Sequence, residues 1–160
     1  MTMGKILAMF TVLSAVAAGA GIYYTQVYAY YDEVRVAEDP AAIMRMTSLV
    51  SEQPETILAD NIRAIKKDAS PLGFRACFET TMSLPMMTET YVMLDDAVPL
   101  HGPGWFDCFD AVEIGTALER GEALAFLGEK NISDGVDRVI AVFGDGRAYV
   151  WHQLNDKYKD

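Results

Sequence analysis

The sequence predicts an α+β protein, with one N-terminal transmembrane helix followed by a small mixed domain built on an antiparallel sheet, a C-terminal β-hairpin and one packed helix. Three observations predict it. Ile6 to Tyr31 form 26 consecutive residues without a charge, enough for a helix of about 39 Å against a hydrocarbon core of about 30 Å. Val139-Ile140-Ala141-Val142-Phe143 and Arg147-Ala148-Tyr149-Val150-Trp151-His152 flank Gly144-Asp145-Gly146, a turn between two strand-forming runs. Asp110 followed by Glu113 has the spacing of a capping box, and Gly121 is a natural helix stop.

The chain divides into residues 1–36, a signal-anchor helix and its extension, and residues 37–160, a single α+β domain. Lys5 precedes the uncharged stretch, while Asp32, Glu33, Glu38 and Asp39 follow it. The positive-inside rule therefore places the N-terminus in the cytoplasm and the domain outside. Tyr23, Tyr24, Tyr28, Tyr30 and Tyr31 gather at the exit end, where an apolar ring with a polar tip suits the headgroup layer. A cleaved signal peptide is the competing reading, because Lys5, the apolar run Ile6 to Val16 and Ala18-Gly19-Ala20 follow the order of its regions. Both readings export the domain. Within the helix, Ser14/Ala18, Ala15/Gly19 and Ala17/Gly21 repeat at four-residue spacing, a face on which a second membrane helix can approach closely.

Beyond the span, a helical extension through Val36 is expected to end at Glu38-Asp39-Pro40. Ile43 to Val50 and Thr56 to Ile65 read as two strands around a Gln53-Pro54 turn, and Gly73 to Glu79 reads as a third with Phe74, Ala76 and Phe78 on one face. Thr81 to Pro103 shows no sustained period and reads as a long irregular connection, with one short strand near Tyr91 to Leu94. The capped helix after Asp110 should bury Val112, Ile114, Ala117 and Leu118, and Ala123 to Leu127 forms a short buried strand closed by Gly128.

Composition excludes some functions. The apolar fraction is 51% and formal net charge is −10, and beyond Lys5 the chain holds 12 basic against 23 acidic side chains, or −11. Nucleic acid is excluded as a partner. Anionic headgroups repel such a domain, which should stand off the membrane and favour a basic periplasmic protein. The two cysteines, Cys77 and Cys108, form the smallest even set in an oxidising compartment. A disulfide between them would tie the irregular connection to the core, the competing reading being two buried thiols.

Catalytic chemistry finds no motif. There is no Gly-x-Ser-x-Gly elbow, Gly144-Asp145-Gly146 lacks the Gly-Lys of a phosphate loop, and Asn131-Ile132-Ser133 is a short glycosylation pattern. His101 and His152, with nine methionines, suggest copper, since thioethers select Cu(I). The methionines follow no tight spacing around either histidine, so no metal and no cofactor is assigned. His101-Gly102-Pro103-Gly104-Trp105-Phe106 sets Trp105 and Phe106 on a stiff loop, as a candidate partner contact or as the lid of the core.

Met3-Gly4-Lys5-Ile6-Leu7, Tyr23-Tyr24-Thr25-Gln26-Val27-Tyr28-Ala29-Tyr30-Tyr31, Arg75-Ala76-Cys77-Phe78, Gly104 to Asp110, Gly121 to Glu129, Gly135-Val136-Asp137-Arg138 and Trp151 to Asn155 together resemble an uncharacterised family of small membrane-anchored proteins of alphaproteobacteria. The resemblance implies a Gram-negative inner membrane and a periplasmic domain, and it brings no activity. A histidine-kinase label sometimes attached to that family needs a cytoplasmic catalytic domain, whereas this topology leaves five residues inside. The reading is a non-enzymatic accessory, stabilising or assembly subunit of an inner-membrane complex, with a respiratory-chain complex as one host. A periplasmic copper or small-ligand binder is the second reading, and an exported hydrolase the third.

Overall fold

A computed structural model describes residues 2–158. The N-terminal helix α1 (Met3–Tyr24) continues through a π-type turn to Ala29, and this 27-residue stretch is long and apolar enough to cross a membrane. The extension expected through Val36 does not form. Strand β1 (Asp32–Glu33) begins at once and pairs with β4 (Asp60–Lys67), Asp32 opposite Lys66. A backbone already committed to a sheet edge cannot also complete a helical turn.

Six strands form one antiparallel sheet in the order β1-β4-β5-β8-β7-β6, with β5 (Ser70–Glu79), β6 (Ala123–Ser133), β7 (Val136–Phe143) and β8 (Arg147–Leu154). The expected hairpin is β7–β8, in register from Val142 opposite Ala148 to Val136 opposite Leu154. Gly146 takes φ +93° in its turn, a conformation open to glycine. Strand β6 runs to Ser133 instead of closing at Gly128, because Gly128 forms an irregularity that the strand passes through. A Cβ on Gly128 would stand 3.0 Å from the Arg138 backbone oxygen and 3.2 Å from that of Arg45.

The two strands expected between residues 43 and 65 become three. Strand β2 (Arg45–Thr47) pairs with β3 (Pro54–Thr56) as a separate ribbon, and the chain then bends into β4. Gln53-Pro54 was expected as the turn; Pro54 instead begins β3, and the turn lies in residues 48–52. The connection from Thr81 holds a helix, α2 (Leu84–Thr90), which buries Met87. Tyr91 and Met93 form single bridges to Ser48 and Phe126. The Met93 bridge lays this segment along the free edge of β6, where exposed backbone would otherwise invite pairing.

Both sheet faces are buried. Phe74, Ala76, Phe78, Phe126, Ile140, Val142 and Val150 face one core with Met44, Met46 and Met87; Cys77, Ala125, Val139, Ala141, Tyr149 and Trp151 face another with Phe106, Phe109 and Ile114. The second core is covered by α3 (Ala111–Arg120), whose first turn is capped by Asp110 accepting from the Val112 and Glu113 N–H groups. Glu113 does not reach back to the cap; it accepts from Arg147 Nη1 at 3.1 Å. Val112, expected inside, is 65% exposed, and Ala111 takes its place.

Cys77 and Cys108 form a disulfide, 31 residues apart in sequence. Closing a loop of that length removes chain entropy worth about 3–4 kcal/mol from the unfolded state. Denaturant titration of the paired variant Cys77→Ala/Cys108→Ala should show a loss of about that size. Reductant should lower the midpoint of the natural chain and leave the variant's where it was.

Candidate functional site

Two places bring polar chemistry together. The first is the joint between the apolar N-terminal helix and the sheet-bearing part of the chain. Trp105 Nε1 donates to the Val27 carbonyl at 2.6 Å, and its ring stacks on Tyr28 with centroids 6.3 Å apart. Tyr31 meets Trp105 edge-on, with centroids 6.4 Å apart. Phe106, the neighbour named with Trp105 as a contact residue, is buried in the domain core. Ser14, Ala15, Ala17, Ala18, Gly19 and Gly21 all lie on the exposed length of α1, with open space around Gly19 and Gly21.

The second place is a recess of about 380 Å³ on the Phe74 face, between the β4–β5 turn, β7–β8 and the 3₁₀ turn Pro40–Ala42. Its polar walls are Arg45, Lys66, Lys67, Arg138, Glu129 and His152, and its apolar walls include Phe74, Pro71 and Ile132. The hairpin register places Arg138 opposite His152. Arg138 is 2% exposed, and its Nε donates to His152 Nε2 at 3.1 Å. His152 Nδ1 then carries the ring proton and donates to the Pro71 carbonyl at 2.5 Å.

Arg138 is a buried cation with incomplete neutralisation. Its Nη1 reaches the Ala41 and Ile43 carbonyls at 3.3 and 3.4 Å, and its guanidinium stands 4.4 Å over the Phe74 ring. Its ion-pair partner is Glu129 Oε1 at 3.9 Å, an oxygen that Arg45 Nη1 also approaches at 3.6 Å. Burial pushes the Arg138 guanidinium down to about 10, with Glu129 opposing, so it stays charged at neutral pH. Lys66 is held by Asp39 at 2.7 Å, an exchange that lowers the Asp39 carboxyl and raises the Lys66 ammonium. Lys67 Nζ lies 4.4 Å over the Tyr31 ring.

Four cationic side chains and one carboxylate therefore line this recess. Both ring nitrogens of His152 are in use beside a guanidinium, which leaves no lone pair for a metal. His101 is exposed on its loop, where its carbonyl accepts from Arg75. Among the described residues, no group of three or more His, Cys, Asp or Glu side chains comes together to hold a metal ion. A larger cavity, about 500 Å³, opens between α3 and residues 93–99. Its walls gather no cations and no histidine, so the smaller recess carries the chemistry.

Burial, the Arg138 charge and the Arg75 charge together push the His152 imidazole down to about 4. The unfolded chain takes up this proton near pH 6.5, which the folded chain refuses until about pH 4. Stability should therefore fall as pH drops through that window, by on the order of 3 kcal/mol. The Asp39, Asp134 and Asp145 carboxyls, held below the usual range by Lys66, Lys157 and Arg147, act at lower pH. Denaturant titrations between pH 4 and 7 check this, and His152→Gln should flatten the slope there.

A model of a family of unknown function, DUF6446, matches residues 44–160. No curated protein and no solved structure matches the chain.

Proposed function

We propose that this chain, which belongs to the family of unknown function DUF6446, is a non-enzymatic accessory or assembly subunit of a bacterial inner-membrane complex, a respiratory-chain complex being one host. The anchor joint carries the reading. A diffusing tethered domain needs a flexible linker, whereas here β1 begins at Asp32 and Trp105 bonds the anchor's last turn at Val27. That mounting holds the domain at a set height and angle, as docking to a partner in the same membrane requires. The apolar sides of α1 are exposed from Met3 to Tyr24, and the small residues at 14, 15, 17, 18, 19 and 21 let a neighbouring helix approach.

In this reading the N-terminus is cytoplasmic and the domain periplasmic. Lys5 on the short side, the acidic residues after Tyr31 and the Cys77–Cys108 disulfide support that placement. The domain's acidic surface favours a basic periplasmic partner. A small-ligand role is favoured by the cation-lined recess, and copper is not favoured, because His152 has no free nitrogen.

Mild-detergent extraction from native membranes, followed by native electrophoresis and mass spectrometry, tests the role. The chain should migrate within a larger assembly, and Gly19→Ile/Gly21→Ile should release it. Migration as a free monomer, with no co-purifying membrane protein, would overturn the proposal.

A further inference from the structure

Four cationic side chains line one recess in a protein whose net charge is −10. Against Arg45, Lys66, Lys67 and Arg138 stand Glu129 inside the recess and, on Lys66 at its edge, Asp39 at 2.7 Å and Asp68 at 4.0 Å. One carboxylate serves two guanidinium groups, and one of those is buried. A buried guanidinium is costly when its charge is not met at close range, and at 3.9 Å Glu129 meets it loosely. Beside the charges runs an apolar wall of Phe74, Pro71, Pro40 and Ile132. The volume, about 380 Å³, lies toward the lower end of the roughly 300–1,000 Å³ range of small-ligand sites.

The recess also lies beside the anchor. Lys66 pairs across the sheet with Asp32, three residues beyond the helical stretch that ends at Ala29, and Lys67 covers the Tyr31 ring. With Lys5 at the inner face, about 30 Å of helix ends near Tyr24. Residues 28–31, and Lys67 with them, then stand in the headgroup layer. Lys67 keeps its position because its stem lies across Gly73, where a Cβ would stand 2.6 Å from the Lys67 Cβ.

We propose that this recess binds a phosphate-bearing anion, its oxygens held by Arg138, Arg45 and Lys67 and its apolar part lying along Phe74, Pro71 and Ile132. The phosphate can come from an anionic lipid headgroup of the adjoining leaflet or from free phosphate in solution. Arginine forks suit either one, and the apolar wall and headgroup-level position favour the lipid. The inference goes beyond the accessory role, and its lipid arm rests on the membrane placement proposed above.

Calorimetry on the full chain in maltoside micelles tests it, with dihexanoyl phosphatidylglycerol, dihexanoyl phosphatidylcholine and inorganic phosphate as probes. The phosphatidylglycerol should saturate one site about tenfold more tightly than either other probe. Arg45→Gln and Lys67→Gln, both at partly exposed side chains, should each weaken it about tenfold with the circular dichroism unchanged. Inorganic phosphate binding as tightly as the lipid, with the same sensitivity to both substitutions, would assign the site to free phosphate. No saturable binding of phosphatidylglycerol or phosphate in the millimolar range would overturn the proposal, as would binding indifferent to both substitutions. Co-purification of the two variants with membrane proteins should be unchanged, so failure of the anion site and failure of the accessory role read out separately.

Discussion

Six antiparallel strands with apolar side chains on both faces need two covers, and this chain supplies them unequally. The face of Phe74, Ile140 and Val150 meets the β2–β3 ribbon and α2. The face of Cys77, Val139 and Trp151 meets α3 and the irregular residues 97–110. Irregular backbone cannot satisfy itself, so the strands reach out to it. Arg75 donates to the Leu100 and His101 carbonyls at 2.8 and 3.0 Å, Gln153 Oε1 accepts from the Val98 N–H at 3.0 Å, and Cys77 is bonded to Cys108. Trp105, in the same loop, holds the anchor. The apolar N-terminal helix is therefore coupled to the sheet through a segment that the sheet itself keeps in place.

What the sequence revealed followed the strength of its local signals. The β7–β8 hairpin has a glycine turn between two uninterrupted apolar runs, and it formed where it is expected. The α3 helix has a cap and a glycine stop, both used, and of its expected apolar side Ile114 and Ala117 are buried while Val112 is exposed. Residues 56–65 hid a bend, because apolar and β-branched residues continue across Ile57-Leu58-Ala59 while the backbone leaves one ribbon and enters the other sheet. Helix α2 was obscured by Pro85 in its first turn and by its length of seven residues, too short for a periodic pattern to declare itself. Both are tertiary outcomes that local propensity does not specify.

The recess was hidden differently. His152 drew attention as a metal ligand because histidine is rare in this chain, whereas Arg138 carried no signal of its own. Hairpin register would have paired them: counting back from the Gly144-Asp145-Gly146 turn sets Val142 against Ala148, Ile140 against Val150 and Arg138 against His152. An arginine directly across from a histidine, each adjoining a fully apolar stretch, is a polar pair on a buried face. Glu129, Arg45, Lys66 and Lys67 could not be added by the same count, since they arrive from three other strands. Register reads one pair; a pocket needs the sheet order.

The overall acidity and the local basicity act on an anion in opposite directions. The chain beyond Lys5 carries a charge of −11 and is repelled as a whole by an anionic leaflet, so diffuse attraction cannot hold lipid against it. Screening confines that repulsion to about 8–10 Å at ordinary ionic strength, and within that distance the side chains immediately around an anion outweigh the net charge. Around the recess these are Arg45, Lys67 and Arg138, with Lys66 already committed to Asp39 and Glu129 shared between the two arginines. An anion gains there only by entering far enough to reach the buried guanidinium, and its apolar part then displaces water from Phe74 and Pro71. Selectivity follows from depth: a headgroup that stays at the surface meets the acidic exterior, while one that enters meets three cations in a low-dielectric wall.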